Sequence, residues 1–109
     1  MKAFQFLFLF ILLVGGNQFQ AQDIHEHQQW DQLLKTHVDE KGHVDYKTLK
    51  QNNKKLNTYL SLLNDNPPDN SWTQNQKKAY LINAYNAYTV KLIVDNYPTE
   101  SIRDIGGFF

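Results

Sequence analysis

The chain is 109 residues long, with eleven basic and eleven acidic side chains, four histidines and no cysteine. That length holds one small domain and excludes a multidomain enzyme. A formal net charge of zero gives no basic footprint for nucleic acid. Without cysteine these residues form no disulfide, thiolate nucleophile, Cys-ligated zinc site or iron–sulfur cluster.

The first residues are a separate material. Met1-Lys2 supplies one positive charge, and Ala3 to Val14 is apolar apart from Gln5, until Gly15-Gly16 breaks the run. A short positive start, an apolar stretch and a polar end make a secretory signal peptide. The stretch falls short of the roughly 20 apolar residues that span a bilayer as a helix; an uncleaved anchor is the alternative. We place the signal at residues 1–21, with Ala21 before the cut and cleavage after Gly16 as the other option. No cysteine follows, so no lipoprotein anchor is available. The reading is of an exported protein, periplasmic or extracellular, that meets a membrane only through its signal peptide. Removing residues 1–21 takes five of the seven phenylalanines (Phe4, Phe6, Phe8, Phe10, Phe19) and leaves a piece about 35% hydrophobic, lean for a globular core.

The remainder reads as mainly α. Residues 22–29 form a polar lead-in, mobile at its start. Trp30, Leu33, Leu34 and Val38 fall at helical spacing and predict a helix over about 27–38. Asp39-Glu40-Lys41-Gly42 stops it in a turn where Gly42 takes positive φ. His43 to Tyr46 is extended or leads into a short helix through Leu49. Leu56, Tyr59, Leu60 and Leu63 repeat at i, i+3, i+4, i+7, predicting an amphipathic helix over about 53–64. Pro67-Pro68 lies in a loop over 64–70.

The last helix has the strongest local signal. Thr73 and Gln76 make a capping box, with Trp72 just before it as a staple on Lys77 or a residue one turn in. Pro98 ends the run. At 100° per residue, Lys77, Ala84, Tyr88, Lys91 and Asp95 share one thin stripe. Ala79, Ile82, Asn83, Asn86, Val90, Ile93, Val94 and Tyr97 lie opposite. This predicts a helix buried on most of its circumference, with Asn83 and Asn86 near the middle of the buried side. Buried amides need partners, and the architectural role of tying down loop backbone outweighs that of orienting a ligand or catalytic group.

Three stretches now fall in a known order: Gly42-His-Val-Asp-Tyr46 followed by Leu49, the helix Tyr80-Leu-Ile-Asn-Ala-Tyr-Asn-Ala87, and Tyr97-Pro98 with Ser101-Ile-Arg-Asp-Ile-Gly-Gly107. In these the chain resembles the bacterial and plant family catalogued as domain of unknown function 547, over residues 30–109. Leu81 stands where tryptophan is expected and Tyr80 where phenylalanine is usual. The resemblance marks Asp45, Tyr46, Asn83, Tyr85, Asn86, Gly106 and Gly107 as motif positions of structural weight. It also implies that the full protein continues past Phe109, through a segment bearing His and Cys, and that this piece is the incomplete N-terminal part of a larger α+β domain. The expected fold is several packed helices around one long buried helix.

Other candidate sites are weaker. His25-Glu26-His27 offers two imidazoles in the lead-in and no third fixed ligand, so it reads as a solvated tail. His37, Asp39, His43 and Asp45 cluster at the turn, but Lys41 sits where an EF-hand needs a ligand, and they read as surface charges on a turn. Ser61, Ser71 and Ser101 have no nucleophile elbow, and Gly106-Gly107 is at most a backbone hinge. We read no metal site and no cofactor, and the sequence names no partner. Two functions follow. In one, the full-length protein is an exported thiol-dependent hydrolase or transferase that this helical part buttresses. In the other, it is a non-catalytic binding or scaffold module at the cell envelope.

Overall fold

The computed structural model describes residues 23–106, so the segment read as a signal peptide, Gly107 and Phe108-Phe109 lie outside the described residues. Among the described residues four helices follow in order, α1 (Gln28–His37), α2 (Tyr46–Gln51), α3 (Lys54–Asp65) and α4 (Gln74–Asp95), then a 3-10 turn (Ile102–Asp104). Among the described residues there is no strand. One isolated antiparallel bridge joins Val38 to Val44 across the turn that ends α1.

The bridge follows from local chemistry. Gly42 takes φ +86, as its place in the turn requires. The Asp39 carboxylate accepts from the backbone amides of Lys41 and His43, both at 2.9 Å, which closes the loop and lines Val44 up with Val38. Asp45 then ends the extended stretch by capping α2, accepting from the Thr48 amide at 3.1 Å and the Thr48 hydroxyl at 2.8 Å. The motif Gly42–Tyr46 is thus a turn, a bridge and a helix cap in succession.

The core is organised by α3. Leu56, Tyr59, Leu60 and Leu63 are all buried, forming one stripe that meets α1 through Trp30 and Leu33 and α4 through Ala87 and Val94. Helix α2 adds Leu49 from the side. The predicted long buried helix at the centre is therefore corrected: the longest buried stripe belongs to the amphipathic α3, and α4 covers one side of the bundle. Helix α4 buries only Ala87 and Val94 fully. Tyr80, Ala84 and Val90 add partly buried contacts on the same side. Its opposite side carries Leu81 and Ile82, each 62% exposed, Tyr85 at 70% and Tyr88 at 47%. Three short helices can cover only one face of a 22-residue helix, and apolar residues distributed all round α4 do not say which face that is.

The ends of α4 match expectation. Thr73 Oγ1 accepts from the Gln76 amide at 3.1 Å and Gln76 Oε1 accepts from the Thr73 amide at 2.9 Å, a complete capping box. Trp72 makes edge contact with Tyr80, two turns in, at 5.4 Å between ring centroids. The helix stops at Asp95, two residues short of the cis Tyr97-Pro98 bond.

Candidate functional site

The lead-in is docked through Ile24 and His27, contrary to the solvated tail that its composition suggests. Ile24 packs against the core, and His27 is only 8% exposed. His27 is the N-cap of α1 in the left-handed region, φ +50, a conformation histidine adopts more readily than most residues. Its side chain makes no cap hydrogen bond. It turns inward instead, placing Nδ1 2.7 Å from the Tyr59 hydroxyl, with the tautomer deciding which of the two donates. Tyr59 in turn stacks on Trp30 at 5.7 Å with an interplanar angle of 11°.

Burial sets the charge state of this pair. Desolvation holds the His27 imidazole below the usual 6.5, the neighbouring His25 adds to the effect, and Asp23 opposes it. Burial, with Tyr80 nearby, pushes the Tyr59 hydroxyl up to about 12. Both groups are neutral at physiological pH. Beside them, the His25 ring sits edge-on to Trp72 at 4.5 Å, and Tyr80 donates to the Leu63 carbonyl at 2.6 Å, so the lead-in, the loop before α4 and the end of α3 are tied together.

An open cleft of about 470 Å³ lies over this junction, lined by Glu26, His27, Gln28, Trp30, Asp31, Leu34 and Asn83. Its lining has two carboxylates, an imidazole and two side-chain amides, but no hydroxyl, thiol or amine nucleophile. Among the described residues no group of three His, Asp or Glu side chains could hold a metal ion.

The motif positions separate in space. Asn83 is half-buried at the cleft and Asn86 is exposed, so the expectation that both amides lie in the buried side is corrected. Both stand within reach of water, so neither needs an internal partner. Tyr85 points outward between them. Asp45 caps α2, and the Thr48 hydrogen bonds hold its carboxyl below the usual carboxylate value. Tyr46, half-buried, lies tilted over Tyr97 at 6.5 Å, and the Lys50 ammonium donates to the Tyr97 carbonyl, fixing the segment after α4 against α2. Gly106 is exposed, with open space where a Cβ would stand. His37, Asp39, His43 and Asp45 form the turn described above, with His43 Nδ1 3.4 Å from an Asp39 oxygen on the surface.

The second surface feature is a shallow groove of about 660 Å³ along α4, lined by Leu81, Ala84, Tyr85, Tyr88, Thr89 and Leu92. It is far more apolar than the cleft. Neither His27 nor this groove stands out on composition. The signal for His27 was the spacing Ile24, His27, Trp30, which extends the apolar stripe of α1 backwards into the lead-in. The signal for the groove was the 4-3-4 spacing of Leu81, Tyr85, Tyr88 and Leu92. Comparison of the chain with protein-family models, with curated proteins and with solved structures gives no match.

Proposed function

We propose that this chain is an exported, non-catalytic interaction module of the cell envelope, whose contact surface is the outward face of α4. The observation that supports this reading is the row Leu81, Tyr85, Tyr88 and Leu92. These four large apolar side chains are contiguous along a helix whose other side already closes the core. Single exposed apolar residues are ordinary on a protein surface, but a continuous apolar strip is characteristic of a contact site. Export follows from the Met1-Lys2 start and the apolar run to Val14. Among the described residues no helix is long and apolar enough to cross a membrane. The polar cleft supports catalysis less well, because His27 spends Nδ1 on Tyr59 and no nucleophile lines the space.

The relation to the family of unknown function 547 belongs to the same proposal, resting on the Asn83-Ala-Tyr-Asn-Ala87 helix and the Gly42–Tyr46 turn. The test is hydroxyl-radical footprinting of Tyr85 and Tyr88 in the cells that make the protein, compared with the dilute purified chain. Protection of both tyrosines in cells is the expected result. Equal labelling in the two settings would remove the contact-surface reading.

A further inference from the structure

The α4 face has a symmetry that points to its occupant. Lys78, Leu81, Tyr85, Tyr88, Leu92 and Asp95 follow one another at intervals of three and four, so they form a single seam along about 26 Å of helix axis. Reflected about the point midway between Asn86 and Ala87, the seam maps onto itself with opposite ends exchanged. Leu81 exchanges with Leu92, Tyr85 with Tyr88, and Lys78 with Asp95. In an antiparallel pair of such helices every apolar layer meets an apolar layer and each terminal lysine meets a terminal aspartate. A parallel pair would set Lys78 against Lys78 and Asp95 against Asp95.

The charges favour the same arrangement for a second reason. Lys78 lies near the N-terminus of α4 and Asp95 is its last residue, so each stands at the end of the helix where the backbone dipole disfavours its sign. An antiparallel neighbour reverses this, because its own C-terminus lies beside Lys78 and its own N-terminus beside Asp95. Within the chain Asp95 is met by Lys91 at 2.7 Å, while Lys78 is exposed and takes part in no ion pair among the described residues. A two-fold axis through the centre of α4 would supply its partner.

We infer that the occupant of the α4 face is a second copy of this chain, docked antiparallel about a two-fold axis between Asn86 and Ala87. The inference rests on the contact-surface reading above and narrows it to one partner.

The experiment is sedimentation equilibrium of the purified chain as exported, without residues 1–21, with Lys78→Glu, Asp95→Lys and the double exchange. The native chain forms a dimer. Lys78→Glu sets glutamate against aspartate at both ends of the seam and weakens dimerisation by about tenfold or more, and Asp95→Lys does the same with lysine against lysine. The double exchange restores the native constant to within about threefold, since pairs that interact do not add. A dimer that ignores all three substitutions overturns the antiparallel register, as does one that both single exchanges weaken and the double exchange does not restore. A chain that stays monomeric to about millimolar concentration overturns the second-copy assignment. If Tyr85 and Tyr88 are nevertheless protected in cells, the contact surface stands and belongs to a different protein; if they are labelled equally, both readings fall together. Circular dichroism of each variant separates lost association from lost folding.

Discussion

His27 Nδ1 lies 2.7 Å from the Tyr59 hydroxyl, joining the residue that starts α1 to the centre of α3. The contact determines how the lead-in is held, since His27 has a left-handed backbone and no capping bond of its own. Tyr59→Phe keeps the ring and its stack on Trp30 but leaves a buried imidazole nitrogen without a partner. The expected loss is about 1–3 kcal/mol of unfolding free energy, read by urea denaturation. Hydrogen exchange should show Ile24 to Gln28 opening before the rest of the core.

The same pair gives the chain an acid sensitivity that begins above the carboxylate range. The unfolded chain protonates His27 near 6.5, whereas burial holds the folded imidazole lower. Between those two values the unfolded state binds more protons, so stability falls as pH drops below 6.5 and the loss ends at the folded pKa. Asp39, Asp45 and Asp69 are held below their ordinary 3.8 by hydrogen bonds from His43, Thr48 and Ser71 respectively. Their contribution is lost only as pH falls below 3.8. Urea midpoints measured from about pH 7.5 down to about pH 5 should decline in the native chain and hold level in His27→Asn, which tolerates the left-handed backbone and does not titrate. A slope that persists in the variant would assign the effect to another group.

The helices were legible because their signals are local. The amphipathic repeat of Leu56 to Leu63, the Thr73/Gln76 box and the turn at Gly42 each depend on residues a few positions apart. The orientation of α4 was not. Its apolar residues surround the axis, and only the sizes and placement of α1, α2 and α3 decide that Ala87 faces in and Tyr85 faces out. The stripe of Lys77, Lys91 and Asp95 does not mark the most exposed side either, since the Lys91 side chain is only 29% exposed while Tyr85, off that stripe, is 70% exposed. Of the cleft, Asn83 was visible as an anomaly in the sequence. His27 was hidden by the polar company it keeps.

The corrected orientation of α4 separates two kinds of position that the sequence placed together. Asn83→Ala and Asn86→Ala should each change stability by no more than about 0.5 kcal/mol, since neither amide is fully buried. Ala87 is fully buried in the core cluster, and Ala87→Leu must overpack it at about 1–3 kcal/mol. Thermal denaturation of the three variants ranks them, and a large loss from Asn86→Ala would mean that the outward face is covered in the folded chain.

The capping box is the most isolated of these interactions and so the simplest to measure. Thr73 and Gln76 satisfy two amides at the start of α4, both near the surface and both by bonds made within the first turn. Thr73→Ala removes the acceptor for the Gln76 amide and should lower stability by about 1 kcal/mol. Gln76→Ala frees only the Thr73 amide, which water can reach, and should lower it by less. In the double variant the losses should fall short of their sum, because the two side chains hold each other's backbone in place. Trp72 packs on Tyr80 directly before the cap, so fraying of the first turn should also appear as a red shift and quenching of Trp72 emission, resolved in a Trp30→Phe background. Unchanged emission with a full loss of stability would place the damage in the body of the bundle instead of at the helix start.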